Sequence, residues 1–226
     1  MQPVLPLQFH DLIKEWVRLR GSDSELPARQ QISPAHLGAL LPHIIIMEKA
    51  AAEQVRIRQA GQTIMDRLGM LPLGMPVTAL FEPEIRDALD RAIRQTLTMP
   101  GMLLAEVRGE PGLGQPKLEG RLLVLPMRGR QGHVDNAIGC LLVDGRPGAT
   151  PRRLHLVSTR LLALPPARGA AFGQMAFEQA GEQAAELPEA AGFADAARAF
   201  RHAPPTAGIA AGTPIPGSPH LRLVKG

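Results

Sequence analysis

The chain has 226 residues, 45% of them hydrophobic and only 3% aromatic, so it can bury one sizeable domain with a mainly aliphatic core. Its net charge of +4 comes from 17 basic against 16 acidic residues in positions 1–150 and 8 against 5 in positions 151–226, without the clustered Lys/Arg face of a nucleic-acid binder. The lone cysteine, Cys140, excludes an intramolecular disulfide and a cysteine zinc cluster. No signal peptide and no run of 18 apolar residues is visible, and we expect a cytoplasmic protein without a membrane span.

The first predicted element is an amphipathic helix that ends near Gly21. Its apolar residues recur at helical spacing and share one face: Phe9, Leu12, Ile13, Trp16 and Val17. Periodicity indicates that this face is buried but does not identify what covers it. Two interpretations therefore stay open. The face packs on its own domain, or it pairs with the same helix of a second subunit in a homodimer.

A short helix and two strands follow. Ser33-Pro34 is a good N-cap with proline at the first helical position, and it predicts a helix through Leu41. The run His43–Met47 is apolar and predicts a buried strand. The alternation of polar and apolar residues in Gln54–Gln59 predicts a second strand with one buried face.

The middle of the chain is helical. Short helical turns are predicted at Ile64–Leu68 and Val77–Phe81, between glycines and prolines. Glu82–Leu97 has the strongest helical pattern, with acidic residues near its start and arginines towards its end, as the helix dipole favours. Because this structural role accounts for the charges, we assign them no catalytic role.

Three further strands are predicted at Met102–Arg108, Lys117–Met127 and Asn136–Val143. The glycine-rich loops between them are short, so neighbouring strands should be antiparallel. The predicted fold is α+β, a five-stranded antiparallel sheet with helices packed on one face. It divides into an N-terminal helical cap at 1–43, a core at 44–150 and a C-terminal extension at 151–226.

The C-terminal extension has a different composition. Pro, Gly and Ala make up 35 of its 76 residues, and beyond Pro165 we expect a largely disordered tail. The stretch 152–164 is expected to form a strand or helix at the domain edge. Four of the six phenylalanines lie in the tail: Phe172, Phe177, Phe193 and Phe200. They are either docking anchors that fold on a partner or incidental residues of a weakly helical segment.

The order of these elements resembles the PAS fold, and several short motifs resemble a family of small proteobacterial PAS proteins. The motifs span roughly residues 9–145 and are Trp16, Leu26-Pro27-Ala28-Arg29, Ser33-Pro34, Leu41-Pro42, Arg58-Gln59-Ala60-Gly61, Leu68-Gly69, Gly74 and Leu80-Phe81. The chain departs from the family pattern at Gln30-Gln31-Ile32, where acidic residues are usual, and at Gln62, where threonine is common. The resemblance implies signal sensing or protein–protein regulation without catalysis.

The resemblance also implies a pocket between the sheet and its helices. The residues expected to line it are apolar: Ile57, Met65, Leu68, Phe81, Leu89, Ile93, Leu104, Leu123, Leu125 and Cys140. The alternative is that the same side chains fill the space and leave no cavity, because protein interiors are normally close-packed.

No cofactor can be assigned. A flavin photosensor of the LOV type needs a cysteine in a helix, whereas Cys140 lies in a predicted strand and is expected to be a small core residue. None of the seven histidines lies on the Glu82–Leu97 helix, where haem-binding PAS domains commonly place their ligand. His36 or His43 could serve, but a surface role is favoured. We find no metal-binding motif and no catalytic motif.

These observations predict a sensory or regulatory domain that acts through a small ligand, a protein partner or both. With no kinase, cyclase or DNA-binding module in the sequence, its output should pass through a protein partner. A ligand-free adaptor with the same fold is the first alternative. An enzyme is the second, and it lacks a motif here.

Overall fold

The computed structural model describes residues 5–20, 25–50, 53–110, 115–146, 148 and 150–164. Within them, six strands form one antiparallel sheet: β1 (Ile44–Lys49), β2 (Val55–Ala60), β3 (Gly101–Gly109), β4 (Leu118–Met127), β5 (Asn136–Gly145) and β6 (Leu154–Ala163). The strand order across the sheet is β2-β1-β5-β4-β3-β6. The predicted antiparallel α+β fold is confirmed, but the sheet has six strands rather than five.

The sixth strand comes from the stretch that was assigned to the C-terminal extension. β6 pairs antiparallel with β3 from Gly101–Ala163 to Gly109–Leu154, with one irregularity next to Val107. Leu154 is fully buried, so β6 contributes to the core. The tail predicted beyond Pro165, with its four phenylalanines, lies outside the described residues.

The core helices pack on one face of the sheet, as predicted, and the N-terminal cap packs on the opposite face. The helices α3 (Gln62–Leu68) and α4 (Arg86–Thr98) cover the face that we call the inner face. The helices α1 (Leu7–Arg20) and α2 (Pro34–Leu37) cover part of the opposite, outer face. The described residues also contain four 3₁₀ turns: Arg29–Gln31, Gly38–His43, Val77–Leu80 and Pro83–Ile85.

Local sequence explains the main boundaries. The hydroxyl oxygen of Ser33 accepts a hydrogen bond from the Ala35 N–H at 3.3 Å, as the N-cap pattern predicted. The α3 helix ends at Gly69, whose positive φ of 63° suits glycine, and the Gly69 N–H donates to the Met65 carbonyl at 2.7 Å. The helix predicted from Glu82 starts in α form only at Arg86, after the 3₁₀ turn that contains Pro83.

One glycine is needed for close approach. The Gly61 N–H donates to the Ile44 carbonyl at 2.8 Å, where the chain leaves β2 and passes the end of the 3₁₀ turn before β1. A Cβ atom at Gly61 would overlap the Pro42 carbonyl. This contact brings the Leu41-Pro42 motif and the end of the motif that runs from Arg58 to Gly61 together in the fold.

Candidate functional site

The N-terminal helix α1 is held against the outer face of its own sheet. Phe9, Leu12, Ile13 and Trp16 are buried there, and Val17 is half-buried against the same cluster. Because this face of the helix is used within the chain, the structure supports the first of the two interpretations and gives no support to pairing of α1 between subunits.

Trp16 fixes the helix in place. Its indole N–H donates to the carbonyl of Pro126, near the end of β4, at 2.9 Å. The ring is fully buried, and the Arg20 guanidinium lies 5.6 Å from its centroid. Since the protein has one tryptophan and no tyrosine, Trp16 is also an intrinsic fluorescence reporter of the packing of α1.

The segment after α1 is joined to the same end of β4. Ala28 forms a parallel bridge with Arg128, in which the Arg29 N–H donates to the Arg128 carbonyl at 2.8 Å and the Arg128 N–H donates to the Pro27 carbonyl at 2.9 Å. The Arg128 side chain also donates to the Leu26 carbonyl at 2.7 Å. The Leu-Pro-x-Arg motif therefore joins the N-terminal cap to the sheet.

A departure from the family pattern is compensated nearby. Gln31 occupies a position where an acidic residue is usual, and its side-chain oxygen accepts the Ala28 N–H at 2.6 Å. An amide oxygen thus performs the backbone-capping role that a carboxylate could also perform.

The inner face carries an apolar core between the sheet and the helices α3 and α4. Five of the residues predicted to line a pocket are fully buried in it: Ile57, Leu68, Phe81, Leu89 and Ile93. Met65 is only half-buried. Thr96 is a buried polar residue of this helix layer, and its hydroxyl donates to the Ala92 carbonyl at 3.0 Å, so its donor is satisfied within α4.

The other four predicted pocket residues lie on the opposite side of the sheet. Leu123, Leu125 and Cys140 are buried under the N-terminal helices, and Leu104 packs against that cluster. The ten residues therefore do not line one pocket. The prediction was wrong for these four because β3, β4 and β5 contain apolar residues at both odd and even positions, so alternation did not show which set faces inward.

The lone cysteine is a core residue, as expected. Cys140 is fully buried beneath the N-terminal helices. Burial raises the pKa of its thiol to about 12, which keeps it protonated and unreactive at neutral pH.

The outer face of the sheet has two unlike halves. In the apolar half, side chains such as Ile138, Leu125 and Met102 are covered by the N-terminal helices. In the other half, which we call the polar half, paired residues of β5, β4, β3 and β6 form two rows. The first row is Leu142, Arg121, Glu106 and Ser158, and the second row is Asp144, Glu119, Arg108 and His155.

The polar half forms the floor of an open groove of about 850 Å³. Pro6 and Gln8, at the start of α1, and His43 border it. Val157, at the irregularity of β6, is 54% exposed in the same groove. The Ser158 hydroxyl donates to the Glu106 carboxylate at 3.4 Å, and Lys117 pairs with Glu119 at 2.8 Å. This surface therefore presents charges of both signs, some of which are paired within the chain.

The sequence prediction missed this surface. The feature of the sequence that could have revealed it is a change from charged to apolar residues along each strand. In β4, the outward positions are charged at Glu119 and Arg121 and apolar at Leu123. In β3, they are apolar at Leu104 and charged at Glu106. The change falls at the same level on both strands, but only the register of the sheet reveals this.

Among the residues that the structure describes, no group of three or more His, Cys, Asp or Glu side chains is placed to hold a metal ion. No helix in that part of the chain is long and apolar enough to cross a membrane.

A family model described as "PAS domain" matches residues 6–142, which is more than half of the chain. The chain belongs to the PAS domain family. PAS domains are generally sensory modules of signal transduction. The match starts at the beginning of α1 and ends within β5, so it includes the N-terminal cap as well as most of the sheet.

Two solved structures illustrate the similarity. A sensory box sensor histidine kinase from Vibrio cholerae is 20% identical, with 45% of this chain and 80% of that chain covered and a TM-score of 0.33. An RNA-binding light-oxygen-voltage receptor is 14% identical, with 90% of this chain and 44% of that chain covered and a TM-score of 0.36. This PAS protein thus spans less than half of the receptor's length. No curated protein matches the chain.

Proposed function

We propose that this PAS protein is a non-catalytic sensory or regulatory module. It senses through a small ligand in the inner core, a protein bound to its surface, or both, and a protein partner carries its output. The family supports this role, because PAS domains are generally sensory. The proposal places the protein in the cytoplasm, where a lone buried thiol such as Cys140 is unexceptional.

The observation that carries the proposal is that one sheet separates two cores. Along β4, Leu122 and Val124 face the inner core, while Leu123 and Leu125 contact the residues beneath α1. A change in the volume of the inner core would shift these strands, and α1 is bonded to one of them through Trp16 and Pro126. Packed cores shift between discrete arrangements rather than deform continuously. A change in the inner core would therefore move α1 between two packings on the sheet, and a protein partner would detect the position of α1.

Native mass spectrometry of the purified full-length protein tests the sensing part. A co-purified small molecule supports a ligand sensor. We expect that molecule to be largely apolar, because the inner core is lined by aliphatic and aromatic side chains. If the spectrum contains only the mass of the polypeptide, the ligand-free adaptor becomes the better description.

The emission of Trp16 tests the coupling between the two cores. Leu89 on α4 is fully buried in the inner core, and Leu89→Ala leaves space on the side of the sheet opposite to Trp16. We expect the emission maximum of Trp16 to move to longer wavelength in this variant while the fold is kept. An exposed substitution on the same helix, Arg91→Ala, is the control. An unchanged emission maximum in Leu89→Ala would show that a change in the inner core is not transmitted to α1, and would contradict the proposed coupling.

A further inference from the structure

We propose that the free edge of β6 binds an extended segment of a protein partner, which adds to the sheet as a further strand. The proposal rests on the proposed function in one respect, that a protein partner carries the output. It names the surface that such a partner contacts and the pattern of residues that the partner must offer.

The two edges of the sheet differ in how they are covered. β2 and β6 are the edge strands. The edge of β2 is paired with a loop, since the Ile57 N–H donates to the Met75 carbonyl at 2.9 Å. The start of β6 is also paired, since the Glu82 N–H donates to the Leu154 carbonyl at 3.0 Å. Over residues 158–163, no backbone hydrogen bond joins β6 to any described segment other than β3.

The register of β6 shows which of its backbone groups are unpaired. In an antiparallel pair, successive residues direct their N–H and C=O groups alternately towards the neighbouring strand and away from it. The Leu154 carbonyl bonds to Glu82 and so points away from β3, where the cross-strand partner of Leu154 is Gly109. Every second residue of β3 from Gly109 faces such an outward-pointing residue. After the irregularity, these residues of β6 are Thr159, Leu161 and Ala163.

One exposed cation lies in the middle of this edge. Arg160 pairs with Leu104, which packs under the N-terminal helices, so the Arg160 side chain lies on the outer face. It is exposed, and it has no ion pair or hydrogen bond within the described residues. Leu161 lies on the other side of the strand and is half-buried against the inner core. The edge therefore offers a positive charge on one side and apolar surface on the other.

These side chains define the residues of the partner. The backbone of Arg160 is bonded to β3, so Arg160 would form a non-hydrogen-bonded pair with an added strand, and side chains lie closest in such pairs. An acidic residue opposite Arg160 gives a favourable cross-strand pair. The residues before and after that acid face Thr159 and Leu161 beside the inner core, so they should be apolar. The expected pattern is an acidic residue between two apolar ones, in an extended segment.

The same charge argues against a second copy of this chain as the occupant. Residues 158–163 include Arg160 and no carboxylate, so two copies paired along this edge would bring two guanidinium groups together without an acid. The open stretch is as long as an ordinary strand. A segment of another protein that supplies a carboxylate fits this edge better.

Amide hydrogen exchange in the full chain, measured by NMR, tests whether the edge is free. The N–H groups of Arg160 and Leu162 bond to β3, so those of Thr159 and Leu161 should exchange at least about tenfold faster. Equal protection of Thr159 and Leu161 would show an occupied edge and overturn the proposal. Protection lost on dilution would identify the occupant as a second copy, and protection independent of concentration would identify it as the chain's own residues 165–226.

A display library of random peptides of about ten residues, selected on the full-length protein, tests the partner's chemistry. Enriched peptides should share an acidic residue between two apolar ones. In fluorescence anisotropy with one labelled peptide, Arg160→Glu should raise the Kd about fivefold or more. Lysine in place of the peptide's acid should restore binding to this variant, which also shows that the variant is folded. Selection without a common pattern, or equal binding to Arg160→Glu and the original protein, would overturn the proposal.

A proline variant tests the backbone contact. Thr159→Pro removes an outward N–H and no hydrogen bond to β3, and proline is tolerated at such positions of edge strands. We expect the variant to keep its circular dichroism spectrum and to lose the peptide, whereas Thr159→Val, which keeps the N–H, binds normally. A folded Thr159→Pro that still binds would overturn strand addition, and if this variant does not fold, Arg160→Glu with the lysine peptide decides. Ligand detection and Trp16 emission do not depend on this edge, so the sensory function stands or fails separately.

Discussion

Replacing Trp16 with phenylalanine tests whether α1 is an integral part of the domain. The substitution removes the indole N–H that donates to the Pro126 carbonyl at 2.9 Å and replaces a fully buried ring with a smaller one. An acceptor that loses its partner in a buried site costs about 1–3 kcal/mol, and the space left by the smaller ring adds to this. We expect the free energy of unfolding to fall by about 2–4 kcal/mol.

This loss is large for a protein domain, whose total stability is typically about 5–15 kcal/mol. The measurement is urea unfolding followed by far-ultraviolet circular dichroism, since the variant has no tryptophan. Lys14→Ala, on the exposed side of α1, is the matched control and should change stability by less than about 0.5 kcal/mol.

Protein concentration separates the two interpretations of the α1 stripe. If Trp16 packs on its own sheet, the difference in stability between the variant and the original protein is the same at both ends of a roughly tenfold range of concentration. A difference that changes with dilution would show that α1 is buried against another subunit. A loss below about 0.5 kcal/mol would refute the packing argument itself.

Three further substitutions or reactions test other parts of the fold. Arg152 is buried and its guanidinium donates to the Pro116 carbonyl at 2.7 Å, so Arg152→Met should lower the free energy of unfolding by about 3 kcal/mol in urea denaturation. Leu154→Ala should cost about 2–5 kcal/mol by the same measurement if β6 belongs to the sheet, whereas Val157→Ala, which is 54% exposed, should have little effect. Cys140 should resist a thiol reagent at pH 8 until denaturant is added, because burial holds the pKa of the thiol near 12. Rapid labelling of the native protein would mean that α1 exposes this site.

The position of β6 determines where a truncated form should end. A chain that ends at residue 150, the domain boundary predicted from composition, lacks the whole of β6 and leaves the edge of β3 unpaired. Any loss of partner binding in that form would reflect a damaged domain. A partner search should therefore compare the full chain with a form that keeps residues up to 164.

The sequence determined the order and type of most elements, because their signals are local. The N-cap at Ser33, the spacing of the α1 stripe and the glycine at the end of α3 each act within a few residues, and each prediction was confirmed. Local signals also predicted the antiparallel pairing of β3, β4 and β5, through the short connections between them.

Only the tertiary structure decided which face each strand residue occupies. In β4 and β5, apolar residues stand at adjacent positions because both faces of the sheet are covered. The sequence therefore does not show which of two neighbouring residues faces inward. For this reason Leu123, Leu125 and Cys140 were predicted to face the inner core, whereas they face the outer one. The partner of the α1 stripe was undetermined for a similar reason, since periodicity records burial and not the surface that causes it. The polar half of the outer face exists only once the register aligns β3 and β4, because residues such as Arg121 and Glu106 are distant in sequence and adjacent only across the sheet.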